Sequence, residues 1–152
     1  MEPANPARLY ATAVGALLVV LGIVGFFYGS SFGSPGTLDH TLGALRTNGW
    51  LNLLWALVGA LGLLLAGTAS RAYALGAGLL FTVLGVWGLA LDSNGAILSF
   101  IPAESANEAL QLTLGLLGLL AFAGTPRSAV GTPRGDPKGA SRAAPERTSP
   151  LL

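Results

Sequence analysis

Charged residues punctuate this chain so sparsely that its apolar runs stand out at once. None falls between Arg8 and Asp39, between Arg46 and Arg71, between Arg71 and Asp92, or between Glu108 and Arg127. Each interval holds one long hydrophobic stretch, which predicts helices near 9–28, 50–66, 72–91 and 109–123. A helix of about 20 apolar residues reaches across the roughly 30 Å hydrocarbon layer of a bilayer. Glycine is frequent within the runs, which lipid tolerates because neighbouring helices satisfy the backbone. The fold class expected is therefore an all-α integral membrane bundle of four transmembrane helices.

Basic residues set the orientation. Arg8 precedes the first span, Arg71 sits in the tight turn between spans two and three, and Arg127 opens a basic tail, so these three positions are expected on the cytoplasmic side. The third loop carries Asp92, Glu104 and Glu108 without a Lys or Arg, and the first sets Arg46 against Asp39; both are expected outside. Tyr10 and Tyr73 then fall at the inner boundary and Tyr28, Trp50 and Trp87 near the outer one, where amphipathic rings are favoured. The location expected is the inner cell membrane, with both termini cytoplasmic. The first span is read as part of the fold and not as a cleaved signal, because its run is long and the following Gly29, Ser30, Ser31 and Phe32 offer no clean cleavage pattern.

Leu38, Leu42 and Leu45 recur at helical spacing in loop one and predict a short interfacial helix. From Thr125 to the end, prolines alternate with Gly, Ser, Ala and single charges, a composition that buries too little apolar area to offset its ordering entropy. Residues 1–124 are thus expected to form the membrane domain and 125–152 a disordered cytoplasmic tail.

The chain also matches itself. Laid without a gap over 71–90, the stretch 8–27 pairs Arg8 with Arg71, Tyr10 with Tyr73, Gly15 with Gly78, Gly22 with Gly85 and Gly25 with Gly88. Spans two and four pair Leu54, Gly59, Leu61 and Gly62 with Leu110, Gly115, Leu117 and Gly118. The unit is a helical hairpin used twice, and an even number of crossings gives both copies one orientation, with a pseudo-two-fold axis along the membrane normal. Every span carries a G-x-x-G: Gly22 and Gly25, Gly59 and Gly62, Gly85 and Gly88, Gly115 and Gly118. Lipid supplies no hydrophobic drive for pairing helices, so close backbone approach at such positions is the expected packing device.

Composition narrows the chemistry. Charged residues make up 10% of the chain and the formal net charge is +1, which leaves no basic field for nucleic acid. There is no cysteine, hence no disulfide, thiolate metal site or Cys nucleophile. No ionisable residue sits at a span centre, which argues against a proton-coupled transporter, a voltage sensor or an intramembrane hydrolase. No enzyme activity, cofactor or metal is expected. The single histidine, His40 beside Asp39, reads as a solvated loop pair, since no second ligand stands at metal spacing. Arg8, Tyr10, Arg71 and Tyr73 read as inner-face headgroup anchors, or alternatively as an anionic-ligand site between repeat-related arginines. Asn52, Trp55 and Gln111 are polar or amphipathic groups that a hydrogen bond between helices would satisfy.

Three segments carry a family resemblance: the R-x-Y that opens span three, Asn52-x-x-Trp55-x-x-x-Gly59-x-x-Gly62-Leu63, and Asn107-Glu108-Ala109-Leu110-Gln111-x-x-x-Gly115. Over residues 8–124 the chain resembles the bacterial four-helix membrane proteins grouped as domain of unknown function 4383. The resemblance implies the four-helix fold and no particular activity. In that family spans two and four usually carry histidines at equivalent places, where this chain has Trp55 and Gln111, so a paired-histidine site is not implied here. The function expected is that of a small multi-pass membrane protein acting as a structural or partner-binding bundle, with lipid, another membrane protein or a second copy as its partner. The alternative is a minor transporter or channel subunit for a small neutral solute.

Overall fold

The computed structural model describes residues 5–33, 40–91, 96–97, 101–102 and 104–126. Four helices cover the four apolar runs: α1 (Pro6–Tyr28), α2 (Gly49–Leu65), α3 (Ser70–Leu89) and α4 (Ser105–Gly124). The first two start where the sequence supplies caps. Asn5 accepts from the Arg8 N–H at 3.0 Å with Pro6 opening the helix, and Asn48 accepts from the Leu51 N–H at 2.9 Å. Helix α4 has no side-chain cap but carries Glu108 in its first turn, where a carboxylate complements the helix dipole. Between α2 and α3 the chain turns within a few residues, and the Ala69 N–H reaches back to the Leu65 carbonyl at 2.9 Å.

Helices α1, α3 and α4 are each long and apolar enough to cross a membrane. With 17 residues, α2 is shorter. At 1.5 Å per residue it spans about 25 Å, a little less than the hydrocarbon layer.

Where an interfacial helix was expected in loop one, two short strands form instead: β1 (His40–Leu42) pairs antiparallel with β2 (Leu45–Thr47). The turn explains the difference. Gly43 takes a positive φ of 64°, a conformation that L side chains rarely adopt and that closes a hairpin so tightly that Leu42 and Leu45 become cross-strand partners. Leu38 and Asp39 lie outside the described residues. A second hairpin, β3 (Ala96–Ile97) with β4 (Ile101–Pro102), precedes α4.

The helices associate as two tight antiparallel pairs, α1 with α2 and α3 with α4. Helices α1 and α3 also touch each other and each reaches the helices of the opposite pair, which leaves α2 and α4 at opposite corners. At the centre the rings of Tyr10 and Tyr73 stand 6.1 Å apart. The Tyr10 hydroxyl donates to the Leu114 carbonyl of α4 at 2.9 Å, and the Tyr73 hydroxyl donates to the Val58 carbonyl of α2 at 3.1 Å. Each pair of helices is therefore tied to the other by a tyrosine.

The strand hairpins cross between the pairs as well. The Asn107 Nδ2 of α4 donates to the Arg46 carbonyl of β2 at 2.8 Å, Arg46 lies 3.7 Å from Glu104, and β4 packs on α2. At the other end Thr125 forms a clasp. Its hydroxyl accepts from the Ala7 N–H at 2.9 Å and donates to the Ala121 carbonyl at 2.7 Å, while its own carbonyl accepts from Arg71 Nε at 3.0 Å. The bundle thus holds Thr125, the first residue of the expected tail; residues 127–152 lie outside the described set.

Trp55, Phe81, Leu18, Leu51 and Ile97 fill the core, while Phe27, Leu64, Leu9 and Leu120 stand largely exposed on the outside. In water so much outward apolar surface would promote association; against acyl chains it is the expected exterior.

Candidate functional site

Two features of the interior could carry function: the seams along which the helices touch and a polar layer near the strand hairpins. The eight glycines of the four G-x-x-G pairs are all buried on the seams. A Cβ at Gly22 would stand 2.6 Å from the Ala56 nitrogen, and one at Gly59 would stand 2.6 Å from the Gly15 carbonyl oxygen. Gly62 faces the Tyr73 phenol, and Gly25 faces the Asn52 side chain. In the other pair Gly85 meets Leu112, Gly88 meets the Glu108 side chain, Gly115 meets the Thr82 backbone and Gly118 meets the Ala74 carbonyl and Tyr10 hydroxyl. Real Cβ atoms do not approach other atoms this closely, so the spacing between helices depends on hydrogen at these positions.

The four residues read as headgroup anchors occupy different places. Tyr10 and Tyr73 are buried, each phenol donating to a carbonyl on the opposite helix pair and not turning outward. Arg71 is half-buried, stacked 4.0 Å over the Phe122 ring while its Nε donates to the end of α4. Arg8 is exposed, the only one of the four with an outward position. Tyr28, Trp50 and Trp87 are exposed towards the strand-hairpin end, and Phe32 meets Trp50 edge-on with ring centroids 5.1 Å apart.

Near the strand hairpins seven polar or amphipathic residues are buried: Thr47, Asn48, Asn52, Trp55, Asn107, Glu108 and Gln111. Both polar atoms of Asn52 are partnered, Nδ2 donating to the Gly29 carbonyl at 2.8 Å and Oδ1 accepting from the Thr47 hydroxyl. The bonds of Asn52 run to the cap residue of α1 and to strand β2 and not, as expected, to another helix. Trp55 Nε1, Asn107 Oδ1 and Gln111 Oε1 find no hydrogen-bond partner among the described residues, and their three side chains are at most 1% exposed. Leaving such a group unpaired in an interior costs about 1–3 kcal/mol.

The charge pattern puts Glu108 in the third loop, the family motif names Asn107 without a role, and nothing in the sequence singles out Thr47. The signal was present in helical phase: Asn107 and Gln111 lie one turn apart, and Glu108 lies two turns from Gly115 on the same stripe. The side chain of His40 and all of Asp39 lie outside the described set. Elsewhere the hydroxyls of Thr12, Thr82 and Thr113 donate to backbone carbonyls of their own helices, a structural use of those groups.

No curated protein and no solved structure matches this chain. A family model described as a domain of unknown function (DUF4383) matches residues 8–123, a stretch that takes in all four helices and both strand hairpins. The chain belongs to that family.

Proposed function

We propose that this protein is a non-enzymatic membrane bundle, built from two copies of one helical hairpin, that serves a structural or partner-binding role. The carrying observation is how the glycines are used: all eight face inward against backbone or side chains of the same chain. Association with anything else then falls to the outer faces, where large apolar side chains such as Leu57, Leu64, Val83 and Leu116 stand exposed. Those faces suit acyl chains or an apolar helix of another membrane protein or a second copy.

The duplication has support beyond sequence alignment. Tyr10 aligns with Tyr73 and Leu114 with Val58 when the halves are superposed in sequence, and the two tyrosine hydrogen bonds link those positions crosswise. A pseudo-two-fold axis along the membrane normal, passing between α1 and α3, would exchange the two bonds. In this reading residues 1–124 form the membrane domain in the inner cell membrane, the strand hairpins face outward, and the turn between α2 and α3 lies in the cytoplasm with the termini.

Crosslinking in native membranes, followed by purification under mild detergent, tests the partner-binding role. A reproducible companion protein or a defined homo-oligomer is expected. Recovery of an uncrosslinked single chain would instead favour passage of a small neutral solute, the second reading, which the buried unpaired polar groups of Trp55, Asn107 and Gln111 support.

A further inference from the structure

We infer that the centre of the bundle, at the level of Trp55 and Gln111, binds a small neutral molecule that both donates and accepts hydrogen bonds, of the class of water or a simple primary amide.

The placement follows from helical phase. On α2, Trp55 lies two turns from Gly62 on the same stripe, and Gly62 faces the Tyr73 phenol. On α4, Gln111 lies two turns from Gly118 on the same stripe, and Gly118 faces the Tyr10 hydroxyl. The Tyr10 and Tyr73 rings, 6.1 Å apart, lie where the two helix pairs meet. Trp55 and Gln111 therefore lean onto that central column from opposite corners, about 10 Å further towards the strand hairpins at 5.4 Å per turn. They also stand equally far from their own helix starts, Gly49 and Ser105. Asn107 joins Gln111 from one turn nearer the hairpins.

The ligand chemistry follows from the unpaired atoms. An indole N–H only donates, so Trp55 needs an acceptor. The amide of Asn107 is oriented by its Nδ2, which donates to the Arg46 carbonyl, so its Oδ1 needs a donor; Gln111 Oε1 needs another. A cation would satisfy the two carbonyl oxygens and leave the indole unpaired. An anion would do the reverse and face two acceptors. A neutral group with a lone pair and two protons meets all three. Leu51, Leu18 and Phe81, buried in the same core cluster as Trp55, limit its size. Such a site is independent of any partner on the outer face.

The test uses the full chain in lipid nanodiscs with its indole nitrogens labelled, and Trp55→Phe identifies one of three resonances. Magnetisation transfer from water to the Trp55 indole proton is expected, together with an upfield shift and loss of most of that transfer in Gln111→Leu. Acetamide is then titrated as the probe. Saturable displacement of the water signal identifies a solute site, and a water signal that persists identifies water as the occupant; either result supports the inference. Unmoved Trp50 and Trp87 resonances certify that Gln111→Leu still folds. Should that variant misfold, the transfer measured in the wild-type chain decides alone. An indole proton that receives no magnetisation from water and ignores acetamide would overturn it.

Discussion

At the residue scale the seam glycines leave no room for a side chain. Gly59→Leu would drive a branched chain into the Gly15 carbonyl and the Val19 nitrogen, so α1 and α2 must separate. Overpacking of this kind typically costs about 1–3 kcal/mol, and unfolding by denaturing detergent should show at least that loss. Gly76 offers the contrast. It is exposed on α3 with nothing within 4 Å of its missing Cβ, and Gly76→Ala is expected to stabilise by about 0.5–1 kcal/mol in the same assay. Tyr10→Phe and Tyr73→Phe should each lose about 0.5–1.5 kcal/mol, and by similar amounts, because each removes one buried bond of matching geometry. Unequal losses would argue against equivalent roles. The packing of the seam glycines was legible in their G-x-x-G spacing. The burial of Tyr10 and Tyr73, which read as headgroup anchors, was not, since a phenol that reaches a carbonyl on another helix pair is fixed by how the pairs dock. The same reason hid the unpaired atoms of Trp55 and Gln111, whose neighbours come from helices distant in sequence.

At the element scale the four helices were legible, because long uncharged intervals bounded by arginines and acids leave little choice in lipid. The helix ends were less so. Helix α4 begins at Ser105 and takes in Glu108, a residue whose charge marks it as loop only while its contact with Gly88 is unknown. The strand hairpin of loop one was misread because three leucines at helical spacing outweighed one glycine; Gly43 at positive φ decides the matter. The hairpin's attachment to α4 combines a hydrogen bond from Asn107 with the partly exposed pair Arg46 and Glu104. Exposed ion pairs contribute about 0–1 kcal/mol, so Glu104→Gln should change stability little and less still in high salt. Asn107→Ala leaves the part-buried Arg46 carbonyl without its side-chain donor and should cost about 1–2 kcal/mol in the same detergent assay. The reverse ranking would mean that charge, not the amide, holds the hairpin down.

For the whole molecule the consequential question is whether α2, the short helix, crosses the bilayer. If it does, the strand hairpin at 40–47 and the turn at 66–69 lie on opposite faces, and two like-oriented helical hairpins follow. If it does not, the glycine seam between α1 and α2 lies in some other setting and the duplicated bundle fails as a membrane architecture. The chain contains no cysteine, so single substitutions can be labelled without a background. Ala44 and Gly67 are both exposed, one in the hairpin turn and the other between α2 and α3, and a Cβ at Gly67 would meet nothing within 4 Å. The decisive measurement is labelling of Ala44→Cys and Gly67→Cys by a membrane-impermeant maleimide in intact cells and again after permeabilisation. With α2 across the bilayer, Ala44→Cys reacts in intact cells and Gly67→Cys only once the membrane is opened. Equal reaction of both positions in intact cells, or of neither, would refute that crossing.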